Sequence, residues 1–255
     1  MNVASVLVMM AVLLISTVAT GQEVVDGFVA RVHVGERGTK MPYRLYVPEE
    51  RVRARPLPLI VYLHGAGGAG NDNLRQISGG NTAGTRLFAS AAVQTKHPAY
   101  VVAPQMPGKN SWSDPDSDTP APYATLVLEL VATLSKEFKI DADRVYLTGQ
   151  SLGGRGTWDL VSKRPNVFAA AVPLCGDGNA QRMRAARTVP IWAFHGAQDE
   201  VVPVAGSREL VAALKSAGSS VKYTEYPDVG HDVWTRAYAD PQLPVWLFAQ
   251  KRSRR

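Results

Sequence analysis

Apolar and polar residues alternate over positions 28–34 and again over 43–47, with Gly35 and Gly38 between the two runs. Successive side chains of a strand point to opposite faces, so this pattern predicts an antiparallel hairpin with one wet face. From position 59 the pattern changes. Short apolar runs without alternation occur at 59–63 and 145–148, as strands buried on both faces do, and further short strands are expected at 100–103, 168–174, 191–194 and 221–226. Between them, positions 85–94, 125–138, 152–163 and 205–215 carry helical periodicity, the third closed by Pro165 and the last by Gly218. Strand and helix in alternation predict a mainly parallel central sheet with helices on both faces and right-handed crossovers. In such a sheet the site lies at the carboxyl ends of the strands. Positions 107–122, rich in Pro, Ser and Asp, form the longest stretch with no period.

The run 145–148 leads into Gly149-Gln-Ser-Leu-Gly153, and a helix is expected from Leu152 onward. Small residues on both sides of Ser151 allow a tight turn from strand to helix that lifts one hydroxyl above the sheet edge. A serine hydroxyl is a poor nucleophile until a base takes its proton, and that base must be held by a third group. The acid and the histidine should therefore follow Ser151, each beyond a strand. Strand 191–194 runs into His195-Gly-Ala-Gln-Asp199, and strand 221–226 into Pro227-Asp-Val-Gly-His231. Asp199 is preferred as the acid over its neighbour Glu200 and over Asp177, which follows an earlier strand. His231 is the base. Among the remaining histidines, His195 reads as a structural hydrogen-bonding residue, and His33 and His97 as surface residues.

Acyl transfer places negative charge on an oxygen, which backbone N–H groups fixed in advance stabilise. Leu152, first in the helix after the nucleophile, supplies one; the glycine-rich loop after strand 59–63, His64-Gly-Ala-Gly-Gly68, supplies the other. Ala66 is the preferred donor there, with Gly65 and Gly67 as alternatives. The same loop raises the question of a phosphate site, but no Gly-Lys-Ser/Thr ending and no dinucleotide fingerprint accompany it. Trp112 on the long loop, Trp234 beside His231 and Gln150 beside Ser151 are candidates for substrate contact, whereas Trp158, inside a helix, reads as core.

Composition changes this picture little. The 255 residues fit one α/β domain, and the formal charge of +6 falls largely on the tail, where Lys251, Arg252, Arg254 and Arg255 leave the body near +2. No basic stripe interleaved with aromatics implies a nucleic-acid partner. No cofactor is implied, and no paired His and carboxylate spacing marks a metal site. A single cysteine, Cys175, excludes an intrachain disulfide and reads as an inert core thiol. Residues 3–18 are apolar and uncharged, followed by Ala19-Thr20-Gly21: a signal peptide over 1–21, with a membrane anchor as the alternative reading. The expected organisation is thus 1–21 signal peptide, 22–250 catalytic domain and 251–255 a basic, disordered tail.

In their order, His64-Gly-Ala-Gly-Gly, Gly149-Gln-Ser-Leu-Gly-Gly, Asp199-Glu-Val-Val-Pro and Gly230-His-Asp-Val-Trp, the motifs resemble those of the α/β-hydrolase superfamily. Arg144-Val-Tyr-Leu-Thr-Gly-Gln-Ser and Val102-Ala-Pro-Gln105, with Trp112 beyond, are similar to small secreted esterases grouped with feruloyl and acetyl esterases, polyhydroxyalkanoate depolymerases and predicted peptidases. The resemblance implies a secreted or periplasmic hydrolase of carboxylic esters, acting on a small-molecule or polysaccharide-linked ester through an acyl-enzyme, with no stable membrane partner after signal cleavage. It equally admits a serine peptidase of the prolyl-oligopeptidase type, or an idle fold used for binding. Arg155 departs from the aromatic or small residue expected there, and no lid insertion is evident.

Overall fold

The computed structural model describes residues 23–252; the expected signal peptide and positions 253–255 lie outside the described residues. Among the described residues nine strands form one sheet in the order β1-β2-β3-β5-β4-β6-β7-β8-β9. Three antiparallel strands open it: β1 (Val24–Val25), β2 (Phe28–Val34) and β3 (Lys40–Tyr46), the last two in register from Phe28↔Tyr46 to Val34↔Lys40. β3 joins antiparallel to β5 (Tyr100–Pro104), and every later pairing is parallel, through β4 (Leu57–Leu63), β6 (Ile140–Gln150), β7 (Ala170–Leu174), β8 (Trp192–Gly196) and β9 (Lys222–Tyr226).

Alternate residues of the central strands feed two cores. Leu59, Val61 and Leu63 of β4 and Val145 and Leu147 of β6 pack with α3 (Pro122–Glu137), α4 (Leu152–Lys163) and α5 (Val204–Ser216), through Leu130, Leu160 and Leu210 among others. Ile60, Tyr62 and Tyr146 point the other way, toward α1 (Thr82–Ala89), α6 (Val233–Tyr238) and α7 (Gln242–Phe248), meeting Phe88, Tyr238 and Leu247. Each large apolar side chain so buried contributes about 1.5–3 kcal/mol, and burial on both faces is why these strands read as unbroken apolar runs.

β4 pairs with β5 on one side and β6 on the other, so the chain reverses its direction of progress across the sheet at β4. The loops after β4 and β6 leave on either side of the crevice this creates. Three expectations change in detail. The helix over 85–94 is two helices, α1 and α2 (Ala91–Lys96), because Ser90 takes an extended conformation and its Oγ accepts from Val93 N–H, starting a new helix. His33 is buried on the inner side of β2, its Nε2 3.6 Å from Glu129 of α3, instead of lying on the surface; His97 is half-buried and stacks on Phe248. The basic tail begins docked: Arg252 N–H donates to Asp143 O at 2.9 Å, and its guanidinium reaches Asn166 O at 2.6 Å and Asp143 Oδ1 at 3.2 Å.

Candidate active site

Ser151 stands between the last residue of β6 and the first of α4 with φ +53° and ψ −116°, a conformation that costs a non-glycine residue energy. Its surroundings enforce it. A Cβ at Gly153 would lie 2.0 Å from Leu63 O, and one at Gly149 would lie 2.6 Å from Gly153 O, so both must be glycine for helix and strand to approach this closely. Ser151 N–H is held by Leu174 O at 3.0 Å and by Cys175 Sγ at 3.3 Å. Burial pushes the Cys175 thiol well above the usual cysteine range, which leaves it protonated and unreactive.

The serine hydroxyl donates to His231 Nε2 at 2.9 Å, and His231 Nδ1–H donates to Asp199 Oδ2 at 2.8 Å. Asp199 Oδ1 accepts the N–H groups of Val201 and Val202 at 2.9 and 2.8 Å. Burial alone would raise the pKa of this carboxyl, but the bonds from His231, Val202 and Val201 outweigh it and hold the group below its ordinary range. The three residues thus converge from the loops after β6, β8 and β9. Glu200 is exposed, and Asp177 is occupied by Arg155, whose Nε and Nη2 lie 2.7 and 2.9 Å from its two oxygens. That ion pair is the structural use of the unexpected arginine. Cys175, Asp199 and His231 bring ligand atoms within 4.8 Å of one another, but the imidazole and carboxylate already bond to each other and the thiol keeps its proton.

Ala66 and Leu152 each occupy the first position of a helix, the 3-10 turn Ala66–Gly68 and α4. There a backbone N–H has no intrahelical acceptor and the helix dipole favours negative charge. Gly65 N–H, one alternative donor, is instead committed to Asn81 Oδ1 at 2.8 Å. Beneath the loop, His64 is fully buried; its Nδ1 donates to Gly65 O at 2.7 Å and its Nε2 accepts Met106 N–H at 3.2 Å. Burial lowers its pKa to about 4, against the opposing effect of the Gly65 bond.

A cleft of about 510 Å³ opens over Ser151 and His231, with Ala66, Gly80, Gln150 and Trp234 in its walls and Arg75 among its lining residues. Trp234 meets the His231 ring edge-on, centroids 5.3 Å apart. Gln150 is present with its amide engaged: Tyr62 O–H donates to Oε1 at 2.7 Å, and Nε2 donates to Gly80 O at 2.8 Å, tying the Gly80 segment of the wall to β6. Trp112 is not in the cleft. It is fully buried against α4, where a Cβ at Gly156 would lie 2.3 Å from it, and its indole N–H donates to His64 O at 3.2 Å. The long loop folds inward because that indole fills the space beside a helix made narrow by glycine. Trp158 is buried as expected. The wall residues Ser78, Gly79, Gly80 and Asn81 were not foreseeable, since the segment has no period and only its conformation brings it over the serine.

This sheet, with its strand-end loops carrying Ser151, Asp199 and His231, defines an α/β-hydrolase. A family described as "Putative esterase" matches residues 35–176, and the chain belongs to that esterase family; the dienelactone hydrolase family also matches over 117–241. The crystal structure of a thermostable esterase superposes with a TM-score of 0.83 at 37% identity, covering 89% of this chain and 64% of that one. A ferulic acid esterase shares the fold, with a TM-score of 0.65 at 18% identity over 86% of this chain and 98% of its own. The bifunctional acetylxylan esterase/xylanase XynS20E of Neocallimastix patriciarum is 38% identical over 76 residues, 30% of this chain. The chain spans only 11% of that relative's length.

Proposed function

We propose that the chain is a serine hydrolase that cleaves carboxylic esters through an acyl-enzyme. The observation that carries this reading is the continuous relay from Ser151 Oγ through His231 to Asp199, at 2.9 and 2.8 Å, on the floor of an open cleft. Ser151 Oγ attacks the ester carbonyl while His231 Nε2 takes its proton, and Asp199 holds the imidazole in the tautomer with Nδ1 protonated. The N–H groups of Leu152 and Ala66 stabilise the oxyanion. As the tetrahedral intermediate collapses, His231 returns the proton to the departing alcohol oxygen; water then attacks the acyl group by the same route and the acid leaves. Each residue acts through its own atoms, and no bound group is required for the balance of this scheme.

Feruloyl or acetyl esters of plant polysaccharide are the proposed substrates. Support comes from Trp234 in the lining of the cleft, an aromatic side chain of the kind that suits a sugar or aryl ring, and from the similarity to an acetylxylan esterase/xylanase. A secreted or periplasmic location is proposed on the uncharged apolar run 3–18 and the small residues after it. Among the described residues no helix is long and apolar enough to cross a membrane. The test is turnover of a chromogenic short-chain ester by the parent and by Ser151→Ala, with acetylated and feruloylated xylan as the polymer arm. Turnover that disappears with the hydroxyl supports the mechanism; equal turnover by both proteins refutes it.

A further inference from the structure

The carboxylate that orients His231 is shared with a second imidazole. His195, the fourth residue of β8, is fully buried, and its Nε2 lies 3.2 Å from Asp199 Oδ2, the same oxygen that accepts from His231 Nδ1. Nε2 also faces Val202 O at 2.9 Å. Both of these oxygens are acceptors, so Nε2 carries a proton whatever the charge of the ring. At the other end of the ring, Nδ1 lies 2.8 Å from Ser207 Oγ of α5, and the same hydroxyl lies 2.9 Å from Gly176 O, its one proton going to Gly176 O when Nδ1 is protonated and to Nδ1 when it is not. The ring is therefore pinned between β8, α5 and the loops after β7 and β8, with neither nitrogen facing solvent.

We infer that His195 is a positioning residue for the proposed ester hydrolysis: its Nε2–H fixes the plane of the Asp199 carboxylate and draws charge from Oδ2, thereby setting how strongly that oxygen stabilises protonated His231. The inference rests on the serine-hydrolase reading for its catalytic meaning, and on geometry alone for its electrostatic one. Asp199 Oδ1 is fully used by two backbone N–H groups, so without His195 the second oxygen is held from one side only. Rotation of the carboxylate about its Cβ–Cγ bond then moves His231 Nε2 away from Ser151 Oγ. Electrostatics give the same sign in either protonation state of His195. A neutral ring disperses the charge on Oδ2 through its hydrogen bond, and a protonated one adds like charge near His231; removing either makes the His231 imidazolium easier to form.

The other charged groups nearby are accounted for. Glu225, the Cα partner of His195 across β8 and β9, is paired with Arg208 at 2.6 Å and takes the Tyr223 hydroxyl at 2.8 Å. Arg155 and Asp177 neutralise each other beyond the loop after β7. On the His231 side, Asp228 is paired with Arg236 at 2.8 Å, Asp232 immediately follows the imidazole in the chain, and the Cys175 thiol is uncharged. None of these makes a hydrogen bond to Asp199.

The test titrates His231 by NMR of protein carrying ¹³C-labelled histidine, in the parent, in His195→Phe, which fills the site without a donor, and in His195→Gln, which returns an N–H. His195→Phe is expected to raise the His231 midpoint by about half a pH unit. It should also lower kcat on a short-chain chromogenic ester about tenfold while KM changes less than twofold. His195→Gln should recover most of both effects. A parental midpoint and parental kcat in folded His195→Phe overturn the inference. Should His195→Phe fail to fold, Ser207→Ala, which keeps the ring and releases its Nδ1 end, decides: a smaller upward midpoint shift supports the inference and an unmoved midpoint refutes it. If Ser151→Ala turns over ester as fast as the parent, the functional reading falls, while the titration, which uses no turnover, still decides whether His195 governs His231.

Discussion

The indole N–H of Trp112 donates to the main-chain carbonyl of His64 at 3.2 Å, with the two rings edge to face at 5.0 Å. A residue of the long loop after β5 thus braces the strand end from which the glycine-rich loop departs. It follows that Trp112 and Trp234 should separate cleanly under mutation. Trp112→Ala should cost about 3–5 kcal/mol of stability, read from urea unfolding. Trp234→Ala, at a side chain only partly buried, should cost clearly less stability than Trp112→Ala and raise KM for aryl or sugar esters several-fold. A Trp112→Ala protein of parental stability would contradict the burial on which this rests.

Two glycines of the site should differ sharply in their response to a methyl group. A Cβ at Gly153 meets the backbone of Leu63 at 2.0 Å, and backbone cannot rotate aside. Gly153→Ala should therefore destabilise the protein by about 3 kcal/mol or prevent folding, because strand and helix must move apart. A Cβ at Gly67 meets nothing within 4 Å. Gly67→Ala should fold with a parental unfolding midpoint, and comparison of the two curves is the check.

Asp199 and Glu200 are adjacent in sequence and differ in what they touch. Asp199 is buried and accepts four hydrogen bonds, whereas Glu200 is exposed. Asp199→Asn should lower kcat about ten-thousandfold, since an amide facing Nδ1 can favour the wrong imidazole tautomer. Glu200→Gln should keep kcat/KM within twofold. Steady-state rates on one short-chain ester decide both, and comparable losses in the two variants would reassign the acid.

The parts of this architecture that could be read from the sequence are those that depend on short-range rules. The runs at 59–63, 100–103 and 145–148 predicted strands because two-sided burial demands continuous apolar residues, and β4, β5 and β6 contain them. Gly149 and Gly153 announced a tight turn because only glycine fits there. What depends on long-range packing could not be read. Trp112 looked available for substrate, and its burial follows from Gly156 on a helix more than forty residues later. His33 looked exposed on a hairpin whose inner face is covered by α3. Asn81 and Gly80 lie in a segment without period, so nothing local marked them as wall of the cleft or support for Gly65. The short helices α6 and α7 carry too few turns to impose a visible period.

His64 makes the fold sensitive to mild acid. Its Nδ1 already donates to Gly65 O and its Nε2 already accepts Met106 N–H, so a second ring proton would have to displace that amide inside a dry site. The folded pKa of about 4 lies below the ordinary histidine value of 6.5. Between these values the unfolded chain binds a proton that the folded chain refuses, so stability falls as pH falls. Above pH 6.5 the contribution is fully present; through the window it is lost at up to about 1.4 kcal/mol per pH unit, on the order of 3 kcal/mol in all. His64→Asn removes this titration while sacrificing packing, so it should be less stable than the parent at pH 7. The gap should narrow steadily toward pH 4. Urea unfolding midpoints at half-unit steps from pH 7 to pH 4 measure it, and a gap that stays constant across the window would show that another group drives the acid sensitivity.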